Sequence, residues 1–330
     1  MTAGGAGAPP AAWRRAARRL LYALAIGLTA ATVASLLGDV WWVFDIANEF
    51  RLQYVIVSLM LVGGAALMRR PRLALVGVLC FALHAASIFG PLLVPRAEAA
   101  AGADNGTAFR LTTLNLYYLN RDRQPTLDYI ASMRPDVAVF QETLRGWPAA
   151  LVPLSLEMPY VASIPPEISY FKGLMLFSRY PILDVTYERP VARYLPILIA
   201  RIAIKDTVVT VIAAHPSHPT SPSYARTRTL YMKAIADVAA RTAGPVVVAG
   251  DFNSTPWSAP FRMMRDRGGL TDAAARRPWL TTWPTWFPGP GLQLDHVLVN
   301  RRVVVRRLER GPNVGSDHYP LTADLVASQP

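Results

Sequence analysis

Cysteine is almost absent from the chain, Cys80 being the only one among 330 residues. An internal disulfide is thereby excluded, and any folded domain has to be held by its core. Charge is sparse too, at 17% Asp, Glu, Lys and Arg, and three stretches carry none: residues 20–37, 53–68 and 73–94. Also missing are a His-Glu-x-x-His or paired-cysteine pattern, a Gly-rich Walker loop, a dinucleotide fingerprint and a Gly-x-Ser-x-Gly elbow. Those absences exclude a closed zinc site, a P-loop, a Rossmann cofactor site and a serine-hydrolase elbow. No fixed-period repeat is present.

The charge-free stretches are close to or within the length of about 17 to 25 residues that spans a bilayer. Any one of them can be a buried core helix, but three in succession, separated by short charged turns, read as membrane spans. A secretory signal peptide competes for the first, because Arg14, Arg15, Arg18 and Arg19 precede it. Its apolar run is longer than a usual signal core, and two more follow. These arginines and the Arg69, Arg70, Arg72 cluster are expected on the cytoplasmic side, with the loop of Asp39, Asp45 and Glu49 outside. Everything after residue 94 is then extracytoplasmic. Trp41 and Trp42 suit an interfacial aromatic belt or an ordinary loop. Cys80 and His84, inside the third stretch, read as packing residues.

The expected organisation is a membrane region over 1–95, a small polar linker over 96–107 and a globular domain over 108–330. The net charge is +12. Beyond residue 103 there are 25 Lys and Arg against 18 Asp and Glu, a surplus of 7 that favours an anionic substrate or membrane surface. The Arg301, Arg302, Arg306, Arg307 set can equally be solvated charge on a strand face.

Within the domain, β-branched and apolar runs predict strands over 109–116, 137–140, 172–177, 197–204, 208–213, 246–250, 294–299 and 303–308. Helices are expected over 125–133, 223–241 and 259–267, the second with Leu230, Ala234 and Val238 on its apolar stripe. Many strands and few helices suggest an α+β sandwich, two sheets face to face with helices outside.

Polar side chains then collect at the strand ends: Asn115, Gln141 and Glu142, His215, Asp251 and Asn253, Asp295 and His296, Asp317 and His318. Each alone can be a cap or a turn, but six strands ending this way assemble a site. Carboxylate and amide oxygens are hard ligands suited to Mg²⁺ or Mn²⁺. With two or three histidines they suit hydrolysis of a phosphate ester, in which a metal polarises the phosphoryl oxygens and an acid activates water. A structural cation without chemistry is the other reading of the same set.

In order and spacing, Asn115, Gln141-Glu142, His215, Gly250-Asp251-Phe252-Asn253, Asp295-His296 and Ser316-Asp317-His318 resemble the endonuclease/exonuclease/phosphatase superfamily, whose fold is deoxyribonuclease I-like. The resemblance covers about residues 108–326 and implies a four-layer α/β/β/α sandwich. It implies Glu142, Asn115 and Asp317 as metal ligands for Mg²⁺ or Mn²⁺. Asp251 would activate water and Asn253 contact the scissile phosphate. Asp317 would hold His318 against that phosphate, and Asp295 would support the His pair or a second metal. His215 falls where members carry His or Tyr. The substrate would be a nucleic acid or a phospholipid headgroup, at a domain anchored to the lipid bilayer; a non-catalytic binding or adhesion module on the same fold is the rival. Arg226 and Arg228 can reach phosphate oxygens or form a solvated helix face. Lys172 reads as rim charge. The aromatic segment 279–287 can stack on bases, dip into the membrane interface or cover a sheet edge.

Overall fold

The computed structural model describes residues 10–93, 106–164, 173–191, 195–277 and 279–328. Lys172 and most of the expected linker lie outside them. The chain divides into two compact units, Met1–Gly90 and Pro91–Pro330.

The first unit is helical: α1 (Pro10–Leu36), α2 (Trp42–Ile46), a 3₁₀ turn (Ala47–Phe50), α3 (Arg51–Leu67) and α4 (Pro71–Leu93). Three helical stretches are long and apolar enough to cross a membrane, Ala12–Leu36, Trp42–Leu67 and Pro71–Leu93. The second is longer than its charge-free core because α2 and the 3₁₀ turn run into α3. Asp45 and Glu49, expected in an outward loop, are buried there with Asn48 and Arg51. The Asn48 amide donates to Asp45 at 3.1 Å, and Arg51 donates to Asn48 at 2.6 Å and to the Ser87 hydroxyl at 2.6 Å. Mutual satisfaction of this kind is what allows charged groups to leave water. Cys80 and His84 are buried as packing residues, His84 against the Thr32 hydroxyl at 3.0 Å.

The second unit opens with β1 (Thr107–Asn115), α5 (Gln124–Met133), β2 (Val137–Gln141), α6 (Trp147–Leu151), β3 (Tyr160–Ser163) and β4 (Leu174–Ser178). It continues through β5 (Ile182–Glu188), β6 (Ile197–Ile204), β7 (Thr207–Ala214), α7 (Pro222–Arg241) and β8 (Val246–Asp251). Last come α8 (Ala259–Arg267), β9 (Leu270–Asp272), β10 (Asp295–Asn300), β11 (Val303–Arg310) and β12 (Leu321–Ala327). Two six-stranded sheets result, ordered β11-β12-β1-β2-β4-β3 and β5-β6-β7-β8-β10-β9. Each has a parallel pair at its centre, β1 with β2 and β7 with β8, flanked by antiparallel strands.

Three apolar clusters glue four layers together. Leu111, Val139 and Leu325 of one sheet meet Ile202, Val211, Val247 and Val297 of the other. On the outer faces, α7 and α8 cover β7 and β8 through Tyr231, Ile235, Phe261, Ile212 and Val248. Leu114 and Phe140 pack with Ile130 of α5 and Trp147 of α6. Each fully buried Leu, Ile, Val or Phe contributes about 1.5–3 kcal/mol. The result is the α/β/β/α sandwich.

Two readings need correction. On α7 the buried face is Ala225, Arg228, Tyr231, Met232, Ile235, Ala236 and Val238, with Ala239, while Leu230 is exposed. A stripe through Leu230, Ala234 and Val238 meets that face at Val238 and, half-buried, at Ala234, because the sheet also takes small and aromatic residues that a search for aliphatic spacing passes over. Four strands lie outside the runs read as strands, β3, β5, β9 and β12, and the last of them pairs with both β1 and β11. Its Thr322 and Ala323 are buried on a strand covered from both sides, so the alternation that marks a half-buried strand is missing.

Gly250 sits where β8 crowds β7. Its φ is +151°, and a Cβ there would collide with the Ala214 carbonyl oxygen. Gly250→Ala is expected to cost about 2 kcal/mol or more of stability. Denaturant unfolding of the two proteins checks this, and equal stability would contradict the close approach.

Candidate active site

Strand pleating explains why the polar ends converge. Successive side chains alternate between faces, so residues two or four apart share one. Asn115 is four after Leu111, His215 two after Ala213, Asp251 two after Ala249 and Asp295 two before Val297, and those four apolar residues all belong to the inter-sheet core. The polar residues therefore emerge between the sheets at one edge. Asn115, Glu142, His215 and Asp251 are delivered by carboxyl ends of parallel strands. Asp295 opens β10, opposite Asp251 in register, and Asp317 and His318 precede β12, so these three enter from amino ends of antiparallel strands.

Glu142 breaks the alternation. By phase Gln141 faces inward, and it is buried against the Thr113 hydroxyl at 3.1 Å. Glu142 should then face the helices, but its φ of +58° turns the chain. Its carboxylate is reached by the Asn115 amide at 3.2 Å and the Tyr118 N–H at 3.0 Å. A non-glycine residue at such a φ costs roughly 1–3 kcal/mol, which tends to be retained where a site needs it.

Asp251 is the hub. The Asn115 amide donates to its Oδ2 at 3.0 Å, and His215 Nε2 and His318 Nε2 lie at 3.4 and 3.8 Å from the same oxygen. The Asn253 N–H donates to Oδ1 at 2.8 Å. Burial alone would raise the Asp251 pKa, but His318, His215 and that N–H outweigh it and hold the group below the ordinary carboxylate range. Burial likewise disfavours a charged His318, yet Asp295 and Asp251 beside it push its pKa up to about 10.

The carboxylate that orients His318 is Asp295, whose Oδ2 accepts from Nδ1 at 2.8 Å. Asp317, the sequence neighbour expected in that role, accepts instead from the Trp283 indole at 3.2 Å. Asp295 reaches His318 across from the other sheet, while the Asp317 carboxylate is held by the indole. Ser316 ties this turn to β1, donating its hydroxyl to the Asn115 carbonyl at 2.6 Å. In the aromatic segment, Trp283 is thus turned toward the cleft while Trp279 and Trp286 are exposed.

A model of the Endonuclease/Exonuclease/phosphatase family matches residues 112–318, more than half the chain and every residue of this cluster. The chain belongs to that family. No curated protein matches it. Among solved structures it is similar to the Neisseria 3′ phosphatase NExo bound to a product DNA hairpin, at 20% identity over 65% of this chain and 98% of that one (TM-score 0.52). It is also similar to the human Nocturnin catalytic domain with bound sulfate, at 18% identity over 68% and 96% (TM-score 0.55). An endonuclease/exonuclease/phosphatase protein from Bacteroides vulgatus matches at 19% identity over 67% and 100% (TM-score 0.57). At these identities the structural likeness shows the fold. The family includes nucleases, phosphatases and phosphodiesterases, hydrolases of phosphate esters that generally use divalent metals.

The donor set of this family member fits such a metal. Four carboxylates, Glu142, Asp251, Asp295 and Asp317, gather around two imidazoles. Burial raises the Asp317 pKa; His318 and the Trp283 indole offset part of that, and the negative charge of Glu142 and Asp251 adds to it. Asp251, Asp295 and His318 also bring one ligand atom each within 4.8 Å of one another. His318 Nδ1 is committed to Asp295, however, and a hard cation prefers oxygens, which favours the Glu142 and Asp317 side. Asn115 gives its amide nitrogen to Glu142 and Asp251, so its oxygen reaches a metal only if the amide turns.

Other residues fall outside the cleft. Arg226 is exposed on α7, whereas Arg228 is buried beneath the turn after β8. His296, one residue out of phase with Asp295, faces the helix layer against Phe261 at 4.3 Å between ring centroids.

Proposed function

We propose that this chain is a divalent-metal-dependent phosphoesterase, hydrolysing a phosphodiester or phosphomonoester in the cleft between the sheets. The convergence of Glu142, Asp251, Asp295, Asp317, His215 and His318 from both sheets is the observation that carries this reading. Glu142 and Asp317, with Asn115 after rotation, would hold Mg²⁺ or Mn²⁺. When bound, the ion would neutralise phosphoryl charge. Asp251, kept ionised by its neighbours, would orient the attacking water and take up its proton as the new P–O bond forms and the bond to the ester oxygen breaks, the leaving oxygen taking a proton from solvent. His318, kept as imidazolium by Asp295, faces the negative charge that develops on phosphorus oxygens. Asn253 and His215 contact the same phosphate from the β8 and β7 sides. Arg226, exposed on α7, would contact a further phosphate of a substrate that extends beyond the cleft.

The basic surplus supports a nucleic acid, and the Neisseria phosphatase with its DNA product is consistent with it by fold analogy alone. The apolar helices support a phospholipid headgroup. The substrate is decided by assaying the full-length protein in detergent on plasmid DNA and on mixed phospholipid vesicles across a salt series. A nuclease loses affinity steeply with salt, a lipid phosphodiesterase much less. Turnover of neither would sink both substrate classes.

The arginines in the amino-terminal part of α1 and those around the α3–α4 junction support a multi-pass cell-membrane protein with the cleft outside the cytoplasm. Alkaline phosphatase fused after Pro330 is accordingly expected to be active in cells. An inactive fusion, with a fluorescent cytoplasmic reporter active in its place, would reverse the topology.

A further inference from the structure

The turn after β8 is gripped from behind by two buried side chains outside the cleft. Asn253 has a φ of +48°, a left-handed turn conformation that asparagine tolerates better than most side chains, and its amide donates to the Pro216 carbonyl at 3.0 Å. Arg228 of α7, 1% exposed, donates from Nη1 to the Asn253 carbonyl at 3.3 Å and to the Ser254 hydroxyl at 2.8 Å. His296 of β10, with no exposure at all, points Nε2 at the Ser254 carbonyl at 3.0 Å and Nδ1 at Asp272 Oδ2 at 2.7 Å. Nε2 faces an acceptor only, the Ser254 carbonyl, so that nitrogen donates to the turn, while Nδ1 lies beside both Asp272 and the Gln293 amide nitrogen at 3.0 Å. Two consecutive backbone units are thus fastened to two different elements, directly below the residues that carry Asp251 and Asn253.

We propose that Arg228 and His296 are positioning residues that hold the Asp251–Asn253 turn in its reactive geometry without touching substrate. The inference rests on reading the cleft as a phosphoesterase site. Its physical basis is that the Asn253 and Ser254 carbonyls are held by donors from two other elements, and a turn that loses those donors is free to shift. A displacement of about 1 Å at a reacting group costs about 10²-fold in rate. Supporting hydrogen bonds of this sort are commonly worth about 10- to 100-fold.

The test uses the full-length protein, with His296→Phe, His296→Gln, Arg228→Met and Arg228→Lys, on a chromogenic phosphodiester with Mn²⁺. Phe keeps the ring volume against Phe252 and Phe261, and Gln restores a donor toward the Ser254 carbonyl. His296→Phe and Arg228→Met are expected to lower kcat at least about tenfold with KM changed less than about twofold. His296→Gln and Arg228→Lys should recover a large part of the loss. Hydrogen exchange without substrate is the second readout: the Asn253 amide should exchange faster in His296→Phe and Arg228→Met while the interior of β8 stays protected. Unchanged exchange at Asn253, or conservative variants as slow as the disruptive ones, would overturn the proposal. If one variant fails to fold, the other pair decides. A wild-type protein without phosphodiesterase activity but with loosened exchange in the variants would instead contradict the reading of the site and leave the positioning role standing.

Discussion

Replacing His318 with alanine is expected to lower kcat for metal-supported phosphodiester hydrolysis by about 10³-fold, with KM changed far less. The ring is buried, oriented by Asp295 at 2.8 Å and aimed past Asp251 into the cleft. An imidazolium there stabilises the transition state more than the substrate, because charge on the phosphoryl oxygens grows between the two. Steady-state kinetics on full-length protein measure the effect, and a loss of less than about tenfold would remove His318 from the chemistry. The same ring has a stability signature. Its folded pKa is raised from 6.5 to about 10, so the stabilisation it gains from Asp295 and Asp251 is complete below the ordinary imidazole range and is lost as pH rises through about 10. Chelator-treated wild type should therefore lose thermal stability between about pH 6.5 and 10, and His318→Ala should be flatter across that window. Parallel curves would contradict the ion cluster.

Glu142→Gln is the second large effect. The substitution keeps shape and removes one negative charge from a carboxylate that the chain bends at φ +58° to present. Activity at modest metal concentration is expected to fall by about 10²- to 10³-fold, and part of it should return as Mn²⁺ is raised, since the variant loses affinity rather than architecture. A metal titration of the rate checks this. Wild-type metal dependence in Glu142→Gln would mean that the cation sits elsewhere, with Asp251, Asp295 and His318 the next candidates.

Much of this site is legible along the chain because pleating carries information at fixed phase. Once residues 246–250 are read as a strand, Asp251 is placed on the face of Val247 and Ala249. The strand β6 and the helix α8 have the bounds their residues suggest, Ile197–Ile204 and Ala259–Arg267. What stays hidden depends on tertiary partners. Nothing local marks Asp295 rather than Asp317 as the partner of His318, since that choice is made by two sheets meeting. Nothing local says that Glu142 adopts a left-handed backbone. Arg228 reads as one more surface arginine beside Arg226 until α7 is docked and its buried face is known. His296 resembles a site histidine because it adjoins Asp295, but a one-residue offset sends it to the other side of the sheet. The buried Asp45, Asn48 and Arg51 set was masked for a similar reason: its charges read as loop until the helices that satisfy them are in place.

Residues from the two sheets are expected to act as one metal-dependent phosphoesterase centre. The measurement that tests it most directly is hydrolysis of a chromogenic phosphodiester by the full-length protein, with Mg²⁺ or Mn²⁺ and then with chelator, beside His318→Ala and Glu142→Gln. Turnover that requires the metal, returns when it is restored and collapses in both variants is the expected result. Turnover that persists with chelator, or survives in both variants at wild-type rates, would contradict the account.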